Sequence, residues 1–261
     1  MAIITLTTDL GHNDSYLASV KATIYTQLDD VKIVDISNSI EPFNIQEAAF
    51  ILRNCYKDFP LGTIHIISID DELTLNKEHL VIESDGHYFI GSDNGLFSLL
   101  FNEVLPQKIF RLNISLTTNC MTFSAKNIFA PAACHLARGG TMEIIGMPIN
   151  NFVTNKMDLT AVIEADMIRG SVIYIDSYGN AITNIKRKEF EYLKRDRSFR
   201  IIFGREDEMI TEISEKYSDV PNAEKLAIFG ENNQLQIAMN RGFANKLLGF
   251  KIYEIIRVEF K

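Results

Sequence analysis

A short apolar run, Ile3-Ile4-Thr5-Leu6, leads straight into Thr7-Thr8-Asp9-Leu10-Gly11-His12-Asn13-Asp14-Ser15-Tyr16. Ile3, Ile4 and Leu6 read as a buried strand. Asp9 and Gly11 mark where it stops, and Asp14 is a candidate cap for the helix that follows. A buried strand feeding a helix through a polar turn constrains the chain towards an α/β layered fold. Ligands of open α/β sheets bind at the carboxyl ends of the strands. A carboxylate leaving the first strand is therefore placed to grip a ligand, and Asp9 can accept hydrogen bonds from two neighbouring hydroxyls such as a ribose presents. The alternative is a loop aspartate that only caps a turn.

The 261 residues allow one large domain or two smaller ones, and 46% hydrophobic with 23% charged residues is ordinary for a soluble globular protein. The net charge of −8 comes without a Lys/Arg cluster, which excludes a nucleic-acid backbone as partner. Cys55, Cys120 and Cys134 form no C-x-x-C pair, which fits a reducing compartment and no structural zinc. No signal-like segment opens the chain, and no apolar run approaches the ~20 residues of a membrane span. The expectation is a cytoplasmic protein with no membrane contact.

Strand and helix signals alternate through the first half. Leu17, Val20, Ile24 and Leu28 lie at helical spacing, and Val31 to Ile36 reads as a strand. Asn44-Ile45-Gln46-Glu47 resembles a capping box opening a helix over 48–55. Thr63 to Ile69 is a β-branched run ending at Asp70. Leu80 to Glu83 and Tyr88 to Ile90 form a hairpin across Ser84-Asp85-Gly86-His87, and Ser92-Asp93-Asn94-Gly95 is a turn. Asn127 to Ala137 reads as a helix ending at Gly139-Gly140. The polar stretch 148–156 is a linker. Beyond it short strands follow at 161–168, 170–175, 199–203, 226–230, 235–238 and 252–260, as in a small β-barrel or sandwich. The domains are placed at 1–150 and 160–261.

No dinucleotide fingerprint, Walker loop, H-E-x-x-H or G-x-S-x-G occurs. None of the histidines (12, 65, 79, 87 and 135) pairs at metal-ligand spacing, and His65 and His135 read as packing residues. Four polar loops remain: the one holding Asp9 and Asp14, Asp70-Asp71-Glu72-Leu73-Thr74-Leu75-Asn76-Lys77, Ser92 to Gly95, and Asp176-Ser177-Tyr178-Gly179-Asn180. The three consecutive acids of the second suit a cation or a solvated surface.

Taken in order, these segments resemble the SAM hydroxide adenosyltransferase family, which includes the SAM-dependent fluorinase and chlorinase. Thr8-Asp9-Leu10-Gly11 with Asp14, Tyr16 and Lys21 is similar to its opening motif. Ile33 to Ser37 with Ile40 and Pro42 is similar to its second strand, and Phe59 to Thr63 to the entry of its third. Ser92-Asp93-Asn94-Gly95-Leu96 resembles Pro-Asp-Asn-Gly-Leu, and Ile128 to Ala133 resembles the helix start after the catalytic loop. Asp176, Tyr178, Gly179, Asn180, Thr183 and Asn184 resemble the C-terminal strand-end motif. Asn240-Arg241-Gly242 with Ala244 and Gly249 resembles the adenine-contacting segment.

The resemblance implies a Rossmann-like N-terminal α/β domain, a smaller C-terminal β-barrel, and a homotrimer with sites at subunit interfaces. It implies attack of water or hydroxide on the ribose C5′ of S-adenosylmethionine (SAM), giving adenosine and L-methionine. SAM is substrate or ligand, and no cofactor or metal is required. Asp9 would hold the ribose hydroxyls, and Asp176, helped by Asn180, would pair with the methionine ammonium. Phe43 and Tyr178 would pack on the ligand, and Asn240, Arg241 and Ala244 would meet the adenine.

The family's hydrolases carry an Asp-Arg-His set. The Asp stands in Asp-Pro-Gly-Val-Gly with the Arg seven residues on, and the His in Phe-His-Gly-Arg-Asp. Here Asp70 is kept, Asp71 to Thr74 replaces Pro-Gly-Val-Gly, Lys77 stands for the Arg, and Ser124 for the His within Phe123 to Asn127. Ala125 occupies the halide-binding serine position of the fluorinase. Three readings follow. One is a hydrolase in which Asp70 and Ser124 position water and Lys77 supplies charge, with turnover slowed by the missing base. The second is a non-catalytic protein that binds SAM or adenosine. The third is an enzyme using another nucleophile, Cys120 among the candidates.

Overall fold

The computed structural model describes residues 1–74, 77–102, 104–115, 122–155, 160–204 and 209–261. Cys120 lies outside the described residues, as do Leu75 and Asn76 of the acidic loop. The chain divides into two compact units, Met1–Lys156 and Met157–Lys261.

The first unit contains strands β1 (Ala2–Thr8), β2 (Val31–Ser37), β3 (Ile64–Ser68), β4 (His79–Ser84), β5 (His87–Ser92), β6 (Lys108–Leu112) and β7 (Gly146–Pro148). Its α-helices are α1 (Tyr16–Tyr25), α2 (Ile45–Arg53), α3 (Leu96–Leu100), α4 (Ala130–Ala137) and α5 (Met142–Ile145). The strands form one sheet in the order β2-β1-β3-β5-β4-β6-β7. β1 pairs in parallel with β2 and β3, and β3 with β5. β4, β6 and β7 add antiparallel, so the sheet is mixed.

Period-two alternation divides the strand residues between two cores. Ile4, Leu6, Ile64, Ile66, Val81 and Ile90 join Leu17, Val20, Ile24 and Phe129 in one cluster. Ile67, Ile69, Leu80, Ile82 and Phe89 join Ala48, Leu52, Leu96 and Phe97 in another. Burying each large aliphatic side chain contributes about 1.5–3 kcal/mol, which is why helices cover both faces of this sheet.

Local chemistry sets the ends of the elements. The cap of α1 is Ser15 rather than Asp14, and it makes no side-chain cap bond. The Asn44 side chain accepts the Glu47 N–H at 3.0 Å, while Glu47 Oε2 reaches back past the cap to the Glu41 N–H at 2.9 Å. In the β4–β5 hairpin Asp85 and Gly86 adopt φ of 52° and 77°, the left-handed pair that a tight two-residue hairpin turn requires. A π-helical turn, Ala125–Phe129, precedes α4.

The second unit contains β8 (Val162–Ile163), β9 (Met167–Ile175), β10 (Ala181–Lys186), β11 (Phe199–Ile202), β12 (Met209–Ile210), β13 (Lys225–Phe229), β14 (Gln234–Met239) and β15 (Ile255–Phe260), with helices α6 (Arg187–Lys194) and α7 (Ala244–Leu248). The strands run antiparallel in the order β12-β11-β15-β9-β10-β14-β13, with β8 on β9. Ile213, just past β12, bridges to Ala227 of β13, and the Ser214 N–H donates to the Ala227 carbonyl at 2.8 Å. The two ends of the sheet are thus drawn together, nearly as a barrel. Ile168, Val172, Ile185, Ile201, Ile237, Ile256 and Val258 fill the interior with Phe190 of α6. Among the described residues no helix is long and apolar enough to cross a membrane.

Candidate active site

The parallel strands β1, β3 and β5 end on the same side of the first sheet, and each delivers polar residues there. Asp9 follows β1. Its N–H donates to the Ser68 carbonyl at 3.3 Å, and its Oδ2 accepts the Phe43 N–H at 3.1 Å. Burial pushes the Asp9 carboxyl up from the usual carboxylate range. Backbone N–H donors, Phe43 among them, oppose that shift, and the nearby Asp70 charge adds to it. Phe43 has φ of 66° and its side chain is 73% exposed, so this residue tethers Asp9 through its backbone and leaves its ring bare.

Asp70 follows β3 with φ of 46°. Its Oδ1 lies 2.7 Å from Lys77 Nζ. The preceding carbonyl, that of Ile69, accepts from Asn94 Nδ2 at 2.9 Å, and Asn94 Oδ1 accepts the Leu96 N–H. Beyond β5, Asp93 Oδ1 accepts the Val153 N–H at 2.7 Å, and burial raises the Asp93 carboxyl.

Asp71 is tied on every side. Its Oδ2 accepts from Ser68 Oγ at 2.7 Å and from the Ala125 N–H at 3.1 Å. Its carbonyl accepts from Ser124 Oγ at 2.6 Å and lies 2.9 Å from His79 Nε2. A carbonyl only accepts, so Nε2 carries the imidazole proton. His79 is 3% exposed and packs edge-on against Phe129. Burial lowers the His79 pKa, and the Lys77 charge adds to that shift while the Asp71 contact opposes it. Burial raises the Asp71 carboxyl despite its two donors. Ser124 is 1% exposed, and its hydroxyl proton is committed to the Asp71 carbonyl.

In the second unit, Asp176 closes a loop at the end of β9. Its Oδ1 accepts the N–H groups of Tyr178 and Asn180 at 2.9 and 2.8 Å, and its Oδ2 accepts from Asn180 Nδ2 at 2.8 Å. Asn180 is buried, while the Tyr178 ring is 76% exposed. The Gly179 carbonyl accepts the Asn245 N–H at 2.8 Å, joining this loop to the start of α7. Gly179 has φ of 79°, and a Cβ there would fall 2.4 Å from Asn245 Oδ1. Tyr217 hydrogen-bonds Asn180 and lies near the Asp176 charge. Asn240 Nδ2 donates to the Val220 carbonyl at 2.7 Å, Arg241 has φ of 52°, and Ala244 is fully buried.

The first unit therefore gathers Asp9, Phe43, Asp70, Lys77 and Ser124, and the second joins Asp176, Tyr178 and Asn180 to the Asn240–Ala244 turn. Sequence reasoning named Asp71 only within the acidic loop and His79 only among the histidines without metal-ligand spacing, and it missed Tyr217. The Asp70-Asp71 doublet and a histidine opening an apolar strand are signals for the first two, whereas nothing local marks Tyr217. Among the described residues no group of three or more His, Cys, Asp or Glu is arranged to hold a metal ion.

Carboxylates collect at the strand ends of an α/β sheet, where open sheets of this kind bind ligands, and a separate antiparallel unit carries a second polar loop, which defines the class as a protein of one α/β unit and one mainly β unit. The family comparison is specific. Residues 4–146 match the SAM hydroxide adenosyltransferase N-terminal domain and residues 170–257 its C-terminal domain, so the chain belongs to this family. It is 33% identical over 195 residues to an (R)-S-adenosyl-L-methionine hydrolase of Methanocaldococcus jannaschii, covering 73% of this chain and 69% of that protein. It is 27% identical to another of that name from Thermus thermophilus, covering 93% and 94%, and 24% identical to a fluorinase of Actinopolyspora mzabensis, covering 72% and 73%. A crystal structure of an uncharacterized conserved protein from Thermotoga maritima superposes with a TM-score of 0.89 at 28% identity, covering 98% of this chain and 99% of that one.

Proposed function

We propose that this protein is an adenosine-forming SAM hydrolase. Family membership and the similarity to proteins named (R)-S-adenosyl-L-methionine hydrolase support the reading. The observation that carries it is the Lys77–Asp70 pair at 2.7 Å beside Asp9, at the carboxyl ends of adjacent parallel strands.

In this reading Asp9 accepts the ribose hydroxyls and Phe43 covers the ligand. Asp176, oriented by Asn180, pairs with the methionine ammonium, Tyr178 packs beside it, and the Asn240, Arg241 and Ala244 turn meets the adenine. Asp70 orients the attacking water and Lys77 fixes Asp70 while supplying positive charge. The water oxygen bonds to C5′ as the C5′–S bond breaks, and the bonding pair leaves with sulfur. The sulfonium becomes a neutral thioether, so no general acid is needed, and the water proton passes through Asp70 to solvent. The protein's contribution is alignment and exclusion of bulk water. No cofactor enters. Ser124, with its proton on the Asp71 carbonyl, acts through the loop rather than on water directly.

The same reading carries the finer expectations. Helices on both faces of the parallel β2-β1-β3-β5 run support a Rossmann-like first domain, and the Ile213–Ala227 bridge supports a barrel for the second. The homotrimer with sites at subunit interfaces that the resemblance implies belongs to the same proposal, and light scattering tests it. Cytoplasmic residence rests on cysteine usage.

Incubation of the purified protein with SAM tests the proposal. Adenosine and L-methionine should form, and an Asp70→Ala variant should form neither. SAM recovered intact and bound would instead identify a binding protein.

A further inference from the structure

Asp70 holds a left-handed backbone that residues with a side chain rarely adopt, so something must keep it there. Both of its neighbours are pinned. On one side the Ile69 carbonyl is held by Asn94 Nδ2. On the other, Asp71 receives four donors from three segments of the first unit. These are Ser68 at the end of β3, His79 at the start of β4, Ser124, and the Ala125 N–H that opens the π-helical turn. Two of them, His79 Nε2 and Ser124 Oγ, converge on a single carbonyl oxygen.

We propose that Asp71 and His79 are positioning residues for hydrolysis: together they clamp the loop and present the Asp70 carboxylate to Lys77 and to the attacking water. This rests on the hydrolase reading. Neither residue touches substrate in this account. Displacing a reacting group by 1 Å costs on the order of 10²-fold in rate, so the clamp belongs in kcat rather than in substrate affinity.

Conservative and disruptive variants separate positioning from general stabilisation. Asp71→Asn keeps an oxygen for Ser68 and Ala125, and His79→Gln keeps an amide N–H near the Nε2 position. Asp71→Ala and His79→Leu remove those groups. Adenosine release should fall about 10²-fold in kcat for the disruptive pair, with KM within about twofold of wild type. The conservative pair should stay within about fivefold of wild type. Wild-type kcat in the disruptive pair, or equal losses in Asp71→Asn and Asp71→Ala, overturns the proposal.

Should the disruptive variants not fold, Ser124→Ala removes one donor from the same carbonyl with little change of shape, and it should lower kcat about tenfold. An unchanged kcat there also overturns the clamp. If wild type itself releases no adenosine, the hydrolase reading fails, and crystal structures of wild type and Ser124→Ala decide the clamp alone. Asp70 leaving its left-handed conformation with loss of the Lys77 contact supports it. Asp70 unmoved overturns it.

Discussion

Lys77 Nζ lies 2.7 Å from Asp70 Oδ1 across a seven-residue separation, and the lysine side chain is only 17% exposed. The contact is made by one oxygen, so a compact ammonium satisfies it without the fork of a guanidinium. Lys77→Ala should therefore lower kcat for adenosine release by about 10²-fold, the scale of losing one fixed charge at a reacting centre. Lys77→Arg should remain within about tenfold of wild type. Steady-state kinetics on the three proteins decides the point, and wild-type turnover in Lys77→Ala would remove the lysine from the reaction.

Asp9 accepts the Phe43 N–H through Oδ2 and sits half-buried at the end of β1. Asp9→Ala should weaken adenosine binding by about tenfold or more, because hydrogen bonds to a charged partner contribute about 1.5–3 kcal/mol. Calorimetric titration of adenosine into wild type and variant reads this directly. Equal Kd values would assign the ribose to other groups.

Burial raises the Asp71 carboxyl above the usual carboxylate range. A raised folded-state pKa means that its ionised form is disfavoured in the native state. Relative to the unfolded chain the native state gains from the protonated carboxyl; that gain is fully present below the ordinary aspartate pKa and is lost as pH rises through the raised value, leaving the buried charge as a penalty at pH 7. Asp71→Asn removes the buried charge and keeps an acceptor for Ser68 and Ala125. Its Tm should exceed that of wild type at pH 7, and the gap should close on acidification towards pH 4. A constant gap, or a lower Tm at pH 7, would contradict this.

His65 is fully buried, with Thr5 Oγ1 at 2.8 Å from Nδ1 and His87 Nδ1 at 3.2 Å from Nε2, and it stacks on Phe89. Burial, with the His87 charge adding, lowers its pKa from 6.5 to about 3. Above pH 6.5 this group leaves stability intact. Below that pH the unfolded chain takes up a proton that the native state refuses, a loss of up to about 1.4 kcal/mol per pH unit. His65→Gln should be less stable than wild type at pH 7 yet show a shallower decline between pH 6.5 and 5 in urea denaturation. Parallel declines would exclude His65 as a source of acid sensitivity.

Several elements were legible because their signal is local. The Asp85-Gly86 turn needs two left-handed residues, and Asn44 lies three residues before the Glu47 N–H that it caps. α6 was not read because its eight residues, Arg187–Lys194, bury only Phe190 and Leu193 among charges. β6 escaped because Lys108 and Arg111 interrupt its short apolar run. Strand-end placement pointed to Asp9, Asp70 and Asp176 as candidates, and the structure sets each just past the end of a strand. The bond from Ser124 to the Asp71 carbonyl spans 53 residues, and only the folded sheet brings such partners together. The same holds for Tyr217 and Asn180.

The loop closed by Asp176 has a thermodynamic consequence. Both carboxylate oxygens already accept donors from within the loop, and Gly179 is fastened to Asn245. The rotamer freedom of that side chain is surrendered when the chain folds, not when a ligand arrives. A cation meeting Asp176 therefore finds an acceptor whose ordering entropy has already been lost, and more of the attraction remains as affinity.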